Sequence, residues 1–135
     1  MKYLMFLLFA STLIFSCKKS SSSCDENKVC YTQKPDSLYI ELQLSPTLDD
    51  SPIEVKFFVG NSDDGELYHS FTTYNELEYF LMPVGEKYAA EAYYTEGDVT
   101  TVAVDGERLE ADYFMNCDVQ CYEWEKDLIL DLKLK

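Results

Sequence analysis

Hydrophobic residues at every second position constrain this chain more than any other feature. Leu38, Ile40, Leu42 and Leu44 alternate with Tyr39, Glu41 and Gln43 before Pro46 stops the run. Ile53, Val55, Phe57 and Val59 alternate with Glu54 and Lys56, and Leu128, Leu130, Leu132 and Leu134 alternate with Ile129, Asp131 and Lys133. A period of two puts one set of side chains on one face of a strand and the other set on the opposite face. No helical period lasts three turns, so the expected class is all-β. Two weaker strands are predicted over 66–73 and 76–82, and further strands over 87–94, 99–104 and 108–113. The stretch Gly60-Asn61-Ser62-Asp63-Asp64-Gly65 is a turn by composition, and Pro83-Val84-Gly85-Glu86 is a break. Asp105-Gly106 predicts a two-residue hairpin, whose central residues both need positive φ. Strands at this spacing, with turn signals between them, predict a single sandwich or barrel domain over 34–135, without internal repeats.

The first residues read differently. Met1-Lys2-Tyr3 precedes an apolar run from Leu4 to Phe15, then Ser16-Cys17. A basic start, a short apolar stretch and a small residue before the break make a secretory signal over 1–16. The run falls short of the ~20 apolar residues that a membrane-spanning helix needs. Leu13-Ile14-Phe15-Ser16-Cys17 resembles the lipobox of bacterial lipoproteins. The resemblance implies that Cys17 becomes a lipidated N-terminus, and several acyl chains on one residue give stable anchoring to a membrane. Lys18, Lys19 and the serines 20–23 follow, a polar tether similar to that of Bacteroidetes-type lipoproteins, and 17–33 is read as tether and lead-in. The implied location is the cell envelope, outer membrane, facing either the periplasm or the exterior.

Charge narrows the partners. The chain holds 11 basic and 25 acidic residues, net −14; loss of Lys2 with the signal leaves 10 against 25, net −15. Nucleic acid, whose phosphates require a basic face, is excluded as a partner. Adsorption of the domain itself onto anionic lipid is disfavoured as well.

Cys17 aside, four cysteines remain: Cys24, Cys30, Cys117 and Cys121. An even number in an exported chain predicts two disulfides. A four-thiolate zinc site is the alternative, but the intervening gaps of five and three residues depart from the close C-x-x-C pairs of such sites. Three connectivities are open. Spacing favours the local pairs, Cys24 with Cys30 and Cys117 with Cys121, whereas bridging the two ends of the domain would stabilise more, by about 4–5 kcal/mol.

Pro83-Val84-Gly85-Glu86-Lys87-Tyr88, leading into a Tyr-bearing stretch, resembles a pattern in transthyretin-like, carboxypeptidase-regulatory-like β-sandwiches. The resemblance implies an immunoglobulin-like sandwich of seven to eight strands. It implies no activity, because this architecture hosts binding modules, pilins and spacers alike.

Constellations that could carry chemistry are sparse. His69 is the only histidine; it shares a strand face with Leu67 and Phe71 and reads as a partly buried structural residue. No nucleophile elbow or phosphate loop is present, so no catalytic residue and no cofactor are expected. Asp49-Asp50 and Asn61 to Gly65 offer oxygens, but the second fails the EF-hand spacing, and no metal site is expected. Aromatic residues make up 15% of the chain. Tyr39, Phe58, Tyr93 and Tyr68 fall on the faces opposite the regular apolar set, and Trp124 stands beside the Cys117–Cys121 loop. Tyr39, Tyr93 and Trp124 are the candidate binding residues, for a protein or glycan ligand, since such rings offer large contact area at low entropy cost. The sequence thus points to a non-catalytic binding or structural module, with a fimbrillin-like assembly subunit and a small envelope hydrolase as alternatives.

Overall fold

A computed structural model describes residues 24–47, 51–124 and 127–135. The signal, Cys17 and the serine tether lie outside the described residues, as do Asp49 and Asp50. Among the described residues, nine strands run in the order β1 (Ser37–Leu44), β2 (Ile53–Val59), β3 (Glu66–Thr73), β4 (Leu77–Pro83), β5 (Lys87–Glu96), β6 (Val99–Arg108), β7 (Tyr113–Asn116), β8 (Val119–Tyr122) and β9 (Leu128–Leu132). The fold is a β-sandwich. One sheet has the order β4-β1-β9 and the other β3-β2-β5-β6, while β7 and β8 form a separate hairpin. β1 pairs antiparallel with β4 and parallel with β9, which returns from the far end of the chain to close the first sheet.

The alternation read from the sequence sets the core. Leu38, Ile40, Leu42 and Leu44 on β1 and Leu130 and Leu132 on β9 are buried, facing Ile53, Val55 and Phe57 on β2 and Ala90, Ala92 and Tyr94 on β5. Ile129 points outward, half exposed. Phe57 stacks on Phe80 at 4.9 Å and on Tyr88 at 5.8 Å, so aromatic rings fill the gap between the sheets. Two buried phenols tie one sheet to the other. The Tyr88 hydroxyl donates to the carbonyl of Pro83 at 2.8 Å, and the Tyr94 hydroxyl donates to that of Leu132 at 2.8 Å while accepting from the Ser45 N–H at 3.0 Å. Desolvation by burial raises the pKa of both phenols.

Some local expectations need correction. Asp105-Gly106 makes no hairpin: β6 runs through it, and the β5–β6 turn falls at Gly97, φ +59°. Gly106 is there for close approach, because a Cβ at that position would meet the Ala89 Cβ at 2.8 Å. Residues 109–112 are not a strand; the pairing starts at Tyr113 instead. Phe58 faces outward by register yet is buried, beside a shift between Phe57 and Phe58 that pairs Phe57 with His69 and Phe58 with Leu67. His69 is exposed rather than partly buried, and stacks on Phe71 at 5.3 Å near the open edge of β3. The turn expected at 60–65 forms, with Gly60 at φ +100° and the Gly65 N–H donating to the Asn61 carbonyl at 2.9 Å.

Candidate functional site: an aromatic groove clamped by two disulfides

The four cysteines are joined as Cys24–Cys117 and Cys30–Cys121, with Cα separations of 4.7 and 4.9 Å. This corrects the local pairing favoured on spacing. Cys117 sits at the tip of the β7–β8 hairpin and Cys121 lies inside β8, where Phe114 faces it across the pair. Extended chain rising ~3.3 Å per residue separates two such positions by more than the ~7 Å a disulfide can span. With all four sulfurs in disulfides, none of these four is a thiolate that could bind zinc.

The turn itself is unusual in composition. Cys117 and Asp118 both have positive φ, 51° and 63°, as a two-residue hairpin requires, although neither is glycine or asparagine. A two-stranded hairpin of four-residue strands is marginal alone in water. Here it is held against the segment from Cys24 to Gln33. The Asn116 side chain accepts from the Asp25 N–H at 2.9 Å and donates to the Asp25 carbonyl at 3.0 Å. The Tyr122 N–H donates to the Tyr31 carbonyl at 2.7 Å, and the Trp124 indole N–H donates to the Gln33 carbonyl at 3.2 Å.

Between segment and hairpin lies a groove of about 540 Å³, lined in part by Asn27, Lys28, Tyr31, Phe114, Glu123 and Trp124. Its size falls in the range of small-ligand sites. Trp124 and Tyr31 are 47% and 42% exposed, with ring centroids 5.3 Å apart and planes inclined by 33°. The Lys28 ammonium lies 3.4 Å from the centre of the Phe114 ring and 3.8 Å from a Glu123 carboxylate oxygen. The groove therefore combines half-exposed aromatic rings with a cation and an anion already close to each other.

The three candidate binding residues do not converge. Trp124 is in the groove. Tyr93 is on the outer face of the four-stranded sheet, where its hydroxyl donates to Glu91 at 2.5 Å and the Lys56 ammonium covers its ring at 4.5 Å. The bond to Glu91 is the main reason its phenol is held above the usual value. That cross-strand network occupies the ring face that a ligand would use. Tyr39 lies on the outer face of the other sheet, opposite Leu81, on the same side as Tyr79, Leu77 and Ile129, all about half exposed. Tyr31, Phe114 and Lys28 were not singled out by sequence reasoning. The clue was the repeated placement of an aromatic just after a cysteine, Tyr31 after Cys30 and Tyr122 after Cys121, but it becomes legible only once those cysteines are known to be partners.

These features define the class: a β-sandwich carrying a disulfide-clamped annex with an aromatic groove. Comparison with protein families, with curated proteins and with solved structures finds no match to the chain.

Proposed function

We propose that this protein is a lipid-anchored, non-catalytic binding module of the bacterial cell envelope, and that its ligand, a protein or glycan, is met in the groove around Trp124. The observation that carries the reading is the pair of exposed rings, Tyr31 and Trp124, packed on each other close in sequence to the Cys30–Cys121 disulfide and held by the Tyr122 N–H on the Tyr31 carbonyl and the indole N–H on the Gln33 carbonyl. A preorganised aromatic surface binds without a large ordering cost, and such residues dominate binding energy elsewhere. The signal over 1–16 and the lipobox ending at Cys17 support export and anchoring through lipid, and two disulfides suit an oxidising compartment. The transthyretin-like resemblance around Pro83 to Tyr88 adds a scaffold compatible with this role.

A photoreactive benzophenone side chain, which inserts into C–H bonds of protein and glycan alike, tests the assignment. It is placed in turn at Trp124, Tyr93 and Tyr39 of the full chain in intact cells, followed by illumination. A high-mass adduct at Trp124, absent at Tyr93, is the expected outcome. No adduct at Trp124, or equal adducts at all three positions, would refute the groove as the binding site.

A second reading, an assembly subunit, is favoured by one observation. β4 is an edge strand with Leu77, Tyr79 and Leu81 half exposed beside Tyr39 and Ile129. An exposed apolar edge is a template for pairing with a second copy. An adduct at Tyr39 whose partner is the same chain would mark that alternative.

A further inference from the structure

We infer that the groove binds a neutral oligosaccharide, stacked on Tyr31 and Trp124 and hydrogen-bonded to Lys28, Glu123 and Asn27. The inference rests on the reading of the groove as a binding site and names the ligand class. Trp124 donates its indole N–H to Gln33, so a ligand meets the ring face and not its polar edge. An aromatic face of that kind attracts the C–H side of a sugar ring, which combines apolar contact area with a rim of hydroxyls. With centroids 5.3 Å apart and planes inclined by 33°, the two half-exposed rings pack into one continuous aromatic surface, and a groove of about 540 Å³ seats a short run of sugar units.

Charge selects among ligand classes. A cationic ligand would have to displace Lys28, which already lies over the Phe114 ring and beside Glu123. An anionic ligand would approach a strongly acidic chain, net −15 once Lys2 is lost with the signal, with Asp25 and Glu26 directly preceding the groove's Asn27 in sequence. An apolar side chain would cover Lys28, Glu123 and Asn27 without replacing their hydrogen bonds to water. Hydroxyl groups do replace them. Each hydroxyl donates and accepts, so it can receive from the Lys28 ammonium or the Asn27 amide and give to the Glu123 carboxylate. A neutral polyol therefore matches both signs of a groove whose own charges already balance.

Trp124 is the only tryptophan of the chain, so its emission reports the groove alone. The full lipidated chain, in a detergent without a sugar headgroup, is titrated with neutral oligosaccharides of glucose, mannose, galactose, xylose and N-acetylglucosamine. Parallel titrations use an acidic oligosaccharide, a basic peptide and a Leu- and Phe-rich peptide. A saturable change in Trp124 emission with at least one neutral oligosaccharide is expected. Tyr31→Ala should weaken that binding more than about tenfold, and Glu123→Gln, an isosteric change at an exposed rim, should weaken it less, while Tyr93→Ala leaves it unchanged. Circular dichroism checks the fold of each variant. Emission that responds only to a peptide, or only to the acidic saccharide, overturns the ligand class while the photocrosslinking at Trp124 still stands. Emission indifferent to every probe overturns the inference too; whether the groove is a site at all is then decided by the crosslink. Saccharide binding that survives at full strength in folded Tyr31→Ala and Glu123→Gln would place the site elsewhere and sink the proposal.

Discussion

Removing the disulfides one at a time and together should give strongly non-additive losses of stability, because the two bridges interleave along the chain. Each closes a loop of about ninety residues, with separations of 93 and 91. For the first bridge to form in an unfolded chain, loop-closure entropy predicts about 4.6 kcal/mol of stabilisation. The second bridge then meets ends already brought together. Its additional ring contains only the six-residue step from Cys24 to Cys30 and the four-residue step from Cys117 to Cys121, so its contribution is about 2.7 kcal/mol. Either disulfide removed alone should therefore cost about 2.7 kcal/mol, and both together about 7 kcal/mol, a coupling of about 2 kcal/mol. The assay is a double-mutant cycle in urea, followed by far-ultraviolet circular dichroism, with Cys24→Ser/Cys117→Ser and Cys30→Ala/Cys121→Ala as its two arms. Cys121 is fully buried, so its arm also loses packing, but that loss cancels in the coupling term. Local pairs would close two small independent rings, each contributing about 2 kcal/mol, with no coupling. Losses that add to within about 0.5 kcal/mol would refute the crossed connectivity or the entropic account built on it.

Replacing Leu130, fully buried between the sheets, by Ala should cost about 2–5 kcal/mol, whereas Ile129→Ala on the half-exposed face should cost under about 1.5 kcal/mol; equal penalties in denaturant melts would mean the register of β9 is wrong. Alkaline pH should destabilise the fold through Tyr94. Burial raises its folded pKa above the unfolded value near 10, so its stabilisation is complete below about pH 10 and is lost as pH rises through the folded value. Tyr94→Phe should flatten that fall while lowering stability at neutral pH by about 1–3 kcal/mol, because Ser45 N–H and Leu132 carbonyl lose a partner; an unchanged alkaline slope would exclude Tyr94 as a contributor. Cys17→Ser should release the protein from the membrane fraction, and a variant that still resists salt washing would contradict anchoring by lipid.

Periodicity made the sandwich legible where one side of a strand is buried and the other is wet. β1, β2 and β9 declare themselves through Leu38 to Leu44, Ile53 to Val59 and Leu128 to Leu132, because burial acts on alternate residues along a single stretch. β7 and β8 were not legible for the opposite reason. Each has four residues, their turn is Cys117-Asp118 rather than a glycine pair, and what holds them is covalent and distant in sequence. Asp105-Gly106 misled because glycine serves two purposes, positive φ in a turn and absence of a Cβ in a crowded strand, and composition does not separate them. The groove depends on which cysteine finds which. Trp124 could be singled out as a lone ring beside a cysteine, but its neighbour Tyr31 is more than ninety residues away, and proximity of that range follows from the fold alone.

The crossing of Cys24–Cys117 and Cys30–Cys121 also determines where tension travels. Suppose the chain is held at its amino-terminal end and a ligand seated on Trp124 is pulled away from the membrane. The load enters at the groove, passes from the 113–124 hairpin through covalent sulfur bonds into Cys24 and Cys30, and leaves toward the anchor. None of it needs to cross β1, β2 or β5. The sandwich hangs beside the line of force and its strand pairs are not peeled apart. A weak, exposed hairpin thereby becomes the part best suited to hold on, and the large core beside it is spared.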